Sequence, residues 1–185
     1  MEYTHSWQSP LGPILLSSNG EALTGLWFEG QKYFGDNLSR EREERALPLF
    51  AQTEAWLKDY FSGKDPGAPP PLAPKGTPFQ QAVWRLLLAI PRGRIVTYGH
   101  LARQLAERLG RPSMSAQAVG GAVGRNPISI LIPCHRVVGS GGSLTGYAGG
   151  MDRKRWLLEL EGEGALLKKD GRVDLERFRW EPLQN

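Results

Sequence analysis

The sequence predicts two domains: an N-terminal α/β domain, a small antiparallel sheet plus one helix, joined to a mainly α C-terminal domain of winged-helix/helix-turn-helix type. Three observations carry this. A strand-and-turn rhythm fills residues 1–28, a Pro/Gly-rich joint interrupts the chain near residue 70, and helix-period apolar stripes dominate beyond it. The boundaries follow as 1–63 for the first domain, 64–76 for the linker, 77–164 for the second domain and 165–185 for a C-terminal extension. A chain of 185 residues accommodates this division, since domains run from ~50 residues upward.

In the first domain, residues 2–8 read as a strand, 9–13 as a turn and 14–18 as a second strand. Asn19-Gly20 is a two-residue hairpin signal, and 21–28 follows as a third strand. The polar stretch 31–44 has little periodicity and reads as loop. A helix fits 49–61, with Phe50, Leu57, Tyr60 and Phe61 near one face. Residues 62–76 hold five prolines and three glycines, which sustain neither a helix nor an interior strand.

The second domain is well punctuated. Thr77, Pro78 and Gln80 supply an N-cap, a proline at the first helical position and a capping-box partner. The helix they open runs to about Ile90 and buries Phe79, Val83, Leu86, Leu87 and Ile90, until Pro91-Arg92-Gly93 breaks it. A second helix follows Thr97, burying Leu101, Leu105 and Leu109, and Gly110 stops it. A third, 115–124, consists almost wholly of Ala, Gly and Val. Gly120, Gly121 and Gly124 each cost a helix ~1 kcal/mol relative to alanine. Two readings compete for them: close packing against another helix, or a side-chain-free face that admits a bulky ligand such as a nucleic-acid backbone.

The β-branched run 128–132 predicts a short buried strand ended by Pro133, with Cys134 and His135 at its exit on opposite faces. A free cysteine is by default a small buried hydrophobe, but beside a histidine it is also where a thiolate nucleophile is made. Residues 139–150 carry six glycines and Tyr147, and read as flexible linker or as the wall of a site. A last helix, 152–161, buries Trp156, Leu157 and Leu160. Asp170-Gly171 marks a hairpin turn in the extension.

The net charge is +4, unevenly spread. Residues 1–75 carry 7 Lys/Arg against 10 Asp/Glu, whereas 79–136 carry eight arginines against Glu107 alone. Such asymmetry is the footprint of a polyanion binder, and arginine favours phosphate contacts over mere solubility. No apolar run approaches the ~18 residues of a membrane span. The start MEYTHSWQSP lacks the basic-then-apolar pattern of a secretory signal. One cysteine excludes an internal disulfide and a cysteine-rich zinc site, and predicts a reducing compartment.

Asn126-Pro127, Ile130-Leu-Ile-Pro-Cys134-His-Arg-Val-Val138, Gly146-Tyr-Ala-Gly-Gly150 and Trp156-Leu-Leu-Glu-Leu-Glu-Gly162 together resemble the O6-alkylguanine-DNA alkyltransferases, also called methylated-DNA–protein-cysteine methyltransferases. The resemblance covers roughly 79–162 and implies a ribonuclease H-like first domain. It implies that Cys134 takes and keeps an alkyl group from guanine O6, with thymine O4 as a second source. His135 would draw the thiol proton through a water, and Glu161 would orient that histidine. Tyr98 would serve the rotated nucleotide, Asn126 would brace the turn into the cysteine, and Tyr147 would pack on the guanine. Double-stranded DNA is the implied partner, held by its minor groove against Ala118, Gly121 and Ala122, with further contacts at Gln80, Thr97, Arg136 and Ser140. Gln117 stands where family members commonly carry an arginine finger. No metal or other cofactor is implied, residues 1–75 offering only His5 toward the zinc site of some relatives. The protein is expected to act as a cytoplasmic monomer, once per molecule. A non-catalytic lesion-binding protein of the same fold and a cysteine hydrolase are the alternatives.

Overall fold

Residues 2–28 form the meander that the turn signals predict. In this computed structural model, which describes residues 1–181, β1 (Glu2–Ser9) pairs antiparallel with β2 (Gly12–Ser18), and β2 with β3 (Leu23–Phe28). The Asn19 side chain accepts the amides of Glu21 and Ala22, and Gly20 adopts φ 103°, so the second turn is built from local residues. A fourth strand, β4 (Arg42–Glu44), lies inside the stretch expected as loop. It pairs parallel with β1, and the sheet, ordered β3-β2-β1-β4, is mixed rather than antiparallel. Three exposed charged residues carry no alternation to announce a strand; the open edge of β1 recruits them. The helix α1 (Pro48–Phe61) buries Leu49, Phe50, Thr53, Leu57 and Tyr60.

The outer edge of β3 is covered by two short visits of the chain. Leu72, inside the Pro/Gly-rich stretch, bridges to Leu23, and Ile128 bridges to Leu26 through bonds of 2.8 Å (Leu26 N to Pro127 O) and 3.0 Å (Ser129 N to Leu26 O). One compact unit therefore comprises Met1–Gly76 with Pro127–Leu131, and the other Thr77–Asn126 with the chain from Ile132 onward. The strand expected over 128–132 is a single bridge followed by a reversal: Leu131 N donates to Ser129 O across Ile130, whose φ is 69°. The run is buried as a strand would be, but its backbone turns instead of extending.

In the second unit, α2 (Pro78–Leu88) opens on the Thr77–Gln80 capping box and buries Val83, Trp84, Leu86 and Leu87, leaving Phe79 half-buried. α3 (Tyr98–Arg108) and α4 (Ala116–Gly124) start on Thr97 and Ser115, whose hydroxyls accept the amides of His100 and Ala118. The three helices pack on one another, and the Trp84 indole donates to the Ala122 carbonyl at 2.9 Å. Leu109, expected in the α3 stripe, is the C-cap residue and is 44% exposed. β5 (Val96–Thr97) pairs parallel with β6 (Val137–Val138). In α5 (Met151–Glu161) the buried residues are Lys154, Leu157, Leu158 and Glu161, an i, i+3, i+4, i+7 stripe, while Trp156 and Leu160 are only half-buried. Among the described residues no helix is long and apolar enough to cross a membrane.

The extension beyond residue 164 contributes to the core. Gly171, at φ 80°, turns the chain between Leu167 and Val173, α6 (Leu175–Phe178) follows, and Arg179 bridges to Ile95. Leu166 and Val173 pack with Ile95, Val138, Leu144 and Leu158. Gly142 closes this cluster: its carbonyl accepts Val173 N at 2.9 Å, its φ is 81°, and a Cβ there would stand 2.2 Å from the Val173 carbonyl oxygen. Gly142→Ala should therefore destabilise by about 2–4 kcal/mol, from left-handed strain plus overpacking. Urea unfolding should show the loss as a lower midpoint with unchanged slope.

Candidate active site

Cys134 is placed by two consecutive local devices. Pro133, at φ −80° and ψ 62°, is the centre of an inverse γ-turn in which Cys134 N donates to Ile132 O at 2.8 Å. Cys134–Arg136 then form one turn of 3-10 helix, so the cysteine lies in a tight turn and not at the mouth of a strand. The Asn126 side-chain amide donates to Ile132 O at 2.8 Å and to Cys134 Sγ at 3.1 Å. The residue that braces the turn thus also touches the sulfur. Burial pushes the Cys134 thiol above its ordinary pKa, opposed by the Asn126 bond and the charge of Lys154.

His135 and Glu161 have fully buried side chains, and Nε2 stands 2.6 Å from Glu161 Oε1. Facing a carboxylate, Nε2 carries the proton, which assigns the lone pair of the neutral ring to Nδ1. Arg136 closes on the same carboxylate with Nε at 2.8 Å from Oε2 and Nη2 at 2.9 Å from Oε1, while Nη1 donates to the Ile90 carbonyl at 2.6 Å. Gly93 N points at Oε2 from 3.5 Å. For Glu161, burial works to raise the pKa, but His135 and Arg136 overcome it and hold the carboxyl far below the usual range. Burial lowers the pKa of His135, against the pull of Glu161 and with the push of Arg136 and Lys154.

Lys154 lies two turns before Glu161 on the buried stripe and has no exposed surface. Its ammonium donates to the carbonyls of Val137 (2.5 Å) and Thr145 (3.0 Å) and lies 5.9 Å from the centre of the Tyr98 ring. Burial lowers its pKa to about 8. The Tyr98 hydroxyl is shared between the carbonyls of Thr145 (3.0 Å) and Gly146 (3.2 Å), and burial raises its pKa. A Cβ at Gly146, φ 82°, would lie 2.6 Å from that hydroxyl, so only glycine allows the contact. Tyr147 is half-buried, with Gly149 against its ring.

On α4, Gln117, Ala118 and Gly121 are exposed together, whereas Ala122 is 4% exposed and faces the core. A Cβ at Gly121 or Gly124 would meet nothing within 4 Å. Packing within the chain therefore asks for neither of these two glycines, while a Cβ at Gly120 would stand 3.6 Å from the Tyr98 ring. Arg85, Arg103, Arg108, Arg111 and Arg125 are exposed. Gln80 and Thr97 are engaged as helix caps, Ser140 is exposed, and Arg136 is turned inward onto Glu161. The structure thus brings together Cys134, His135, Glu161, Asn126 and Arg136, and adds Lys154 and the Gly93 amide, which the sequence reading missed. The signal for Lys154 was its i, i+7 spacing from Glu161 across Leu157 and Leu158.

Comparison with known proteins identifies the family. Residues 78–163 match the family model of the 6-O-methylguanine DNA methyltransferase DNA-binding domain, and residues 3–67 match that of its ribonuclease-like domain. The methylated-DNA–protein-cysteine methyltransferase of Haemophilus influenzae is 43% identical over 160 residues, 86% of this chain and 85% of that protein. The Mycobacterium leprae protein of the same name is 43% identical over 161 residues, 87% of this chain and 93% of that one. Among solved structures, Mycobacterium tuberculosis OGT in complex with DNA superposes with a TM-score of 0.74 at 40% identity, covering 88% of this chain and 94% of that one. Since the matches run through both domains and include the turn that presents Cys134, the chain belongs to the 6-O-methylguanine DNA methyltransferase family.

Proposed function

We propose that this chain repairs alkylated DNA by direct reversal, moving the alkyl group from guanine O6 to Cys134 once per molecule. The observation that carries the reading is a sulfur held in a tight turn by an Asn126 donor, next to a buried His135–Glu161 pair in which Nε2 faces the carboxylate; a proton on Nε2 leaves Nδ1 as the base. A free thiol is mostly protonated at neutral pH, and burial here favours that form further, so transfer needs a base. The Cys134 proton passes through a water to His135 Nδ1. The thiolate attacks the alkyl carbon, an S–C bond forms, the C–O6 bond breaks, and its electron pair stays with the guanine. Tyr98, whose hydroxyl rests on the carbonyls of Thr145 and Gly146, gives its proton to the leaving base and is reprotonated from solvent as His135 releases the thiol proton to solvent, so that one proton in sum moves from the thiol to guanine. Tyr147 forms the wall against which the base packs.

O6 reaches a buried sulfur only if the nucleotide leaves the duplex. The face Gln117–Ala118–Gly121 of α4 approaches the minor groove, with Gln117 entering the gap and the exposed arginines meeting phosphates. Ala122, Gln80 and Thr97 act behind this surface through the fold. The protein works as a cytoplasmic monomer without a metal or other cofactor. Cys134 favours this reading over a non-catalytic lesion binder.

Because the alkyl group stays on Cys134 in this reading, excess O6-methylguanine DNA should add one methyl mass on the Cys134 peptide and activity should then stop. Mass spectrometry reads this directly; continued turnover, or a label elsewhere, would refute the reading. Gln117→Ala should slow repair of duplex DNA much more than reaction with a free O6-alkylguanine base, which needs no flipping. Equal losses on both substrates would place Gln117 in the helix fold instead.

A further inference from the structure

Arg136 is engaged at every nitrogen of its guanidinium, and all three bonds point into the protein. Its side chain is 12% exposed, and its partner Glu161 is wholly enclosed. The exposed arginines of the same basic segment can meet a polyanion; Arg136 is turned away from solvent.

The charge balance of the cluster explains it. A buried carboxylate against a buried imidazole favours the imidazolium, because the ion pair is the form that cancels charge. A His135 already protonated at rest has no lone pair to receive the thiol proton. With Arg136 bound to the same carboxylate through both Nε and Nη2, guanidinium and carboxylate already sum to zero and the imidazole stays neutral. Oε1 accepts from His135 and Arg136 together, and Oε2 from Arg136 and the Gly93 amide. The carboxylate is thus surrounded by donors and has no reason to take a proton itself. The charged and titratable groups around His135 are Glu161 and Lys154 from α5 and Cys134 and Arg136 from its own turn.

We infer that Arg136 is a positioning residue of the transfer reaction, the counter-ion that occupies Glu161 so that His135 rests as a neutral base. The inference rests on the alkyl-transfer reading above and assigns Arg136 an inward role in place of DNA contact. Burial lowers the basicity of His135 most, and Arg136 and Lys154 act in the same direction, in line with it. In the reaction the thiol proton reaches Nδ1, the Nε2 proton stays on the ring, and the resulting imidazolium is received by an already fixed carboxylate.

The sign of the effect separates this role from a structural one. The rate falls as pH drops through the pKa of the base, and loss of the Arg136 charge raises that pKa. For Arg136→Gln, the acid limb of the single-turnover rate with free O6-methylguanine base, read as methyl mass on Cys134, should move up by about one pH unit or more. Below the limb the rate should then fall roughly tenfold further than above it. Arg136→Lys keeps the charge and should restore the limb toward its parental position. An Arg136 that only supports folding would lower the rate equally at every pH, and an unmoved limb overturns the inference. If Arg136→Gln does not fold, NMR titration of the intact protein decides: His135 should remain neutral at and below pH 6.5, its ordinary pKa, and protonation above that value overturns the inference. Absence of any methyl on Cys134 in the parental protein would instead refute the transfer reading itself.

Discussion

Taking a carboxylate out of water is unfavourable by several kcal/mol unless donors surround it, and around Glu161 the chain gathers them from separate segments. The loop after α2 brings the Gly93 amide, the turn at 134–136 brings the imidazole and the guanidinium, and α5 carries the carboxylate itself. Each donor group is far from the others in sequence or points a different way, so satisfying one anion determines how these segments sit together. Gly93 shows how tight the arrangement is: its φ is 71°, and a Cβ there would stand 3.1 Å from the Glu161 backbone carbonyl. The arginine that closes the cage also takes the Ile90 carbonyl, joining the end of α2 to the cysteine turn.

α5 places a second buried charge on the same stripe. Lys154 and Glu161 flank Leu157 and Leu158, with the cation bonded to Val137 and Thr145 carbonyls and the anion to His135 and Arg136. Of these two charges, the sulfur senses Lys154. Burial keeps Cys134 protonated at rest, while the Asn126 amide and the Lys154 charge favour the anion once the proton has left.

The glycines of α4 carry a cost of ~1 kcal/mol each in helix propensity, and at Gly121 and Gly124 no packing neighbour accounts for it. The buried side of that helix is ordinary, with Val119, Ala122 and Val123 in the core and Trp84 bonded to the Ala122 carbonyl. At Gly121 the cost falls on the exposed side of the helix.

Where a turn or helix cap finds its hydrogen-bond partner within three residues, the sequence by itself determined the outcome. The Asn19-Gly20 turn, the Thr77–Gln80 capping box, the N-caps at Thr97 and Ser115 and the helices they open need no distant partner to form. Cys134, His135 and Glu161 were legible as a set only through the resemblance of the motifs around them to a known family, since spacing alone left Cys134 open between a buried hydrophobe and a nucleophile. Tertiary structure alone decided what depended on a partner from elsewhere in the chain. Arg42–Glu44 became a strand because the edge of β1 was open; 128–132 turned because Ile128 met the edge of β3 and the chain had then to reverse at Ile130. Hydrophobic periodicity took Trp156 and Leu160 for the core side of α5, yet the buried stripe was drawn by the charges, since Lys154 and Glu161 found carbonyls and cations inside. Arginine 136 reads as one more cation in a basic segment, and only the buried carboxylate facing it turns it inward. A local pattern records what a residue prefers, whereas a buried charge goes where its counter-charge is, and that is known only once the chain has closed.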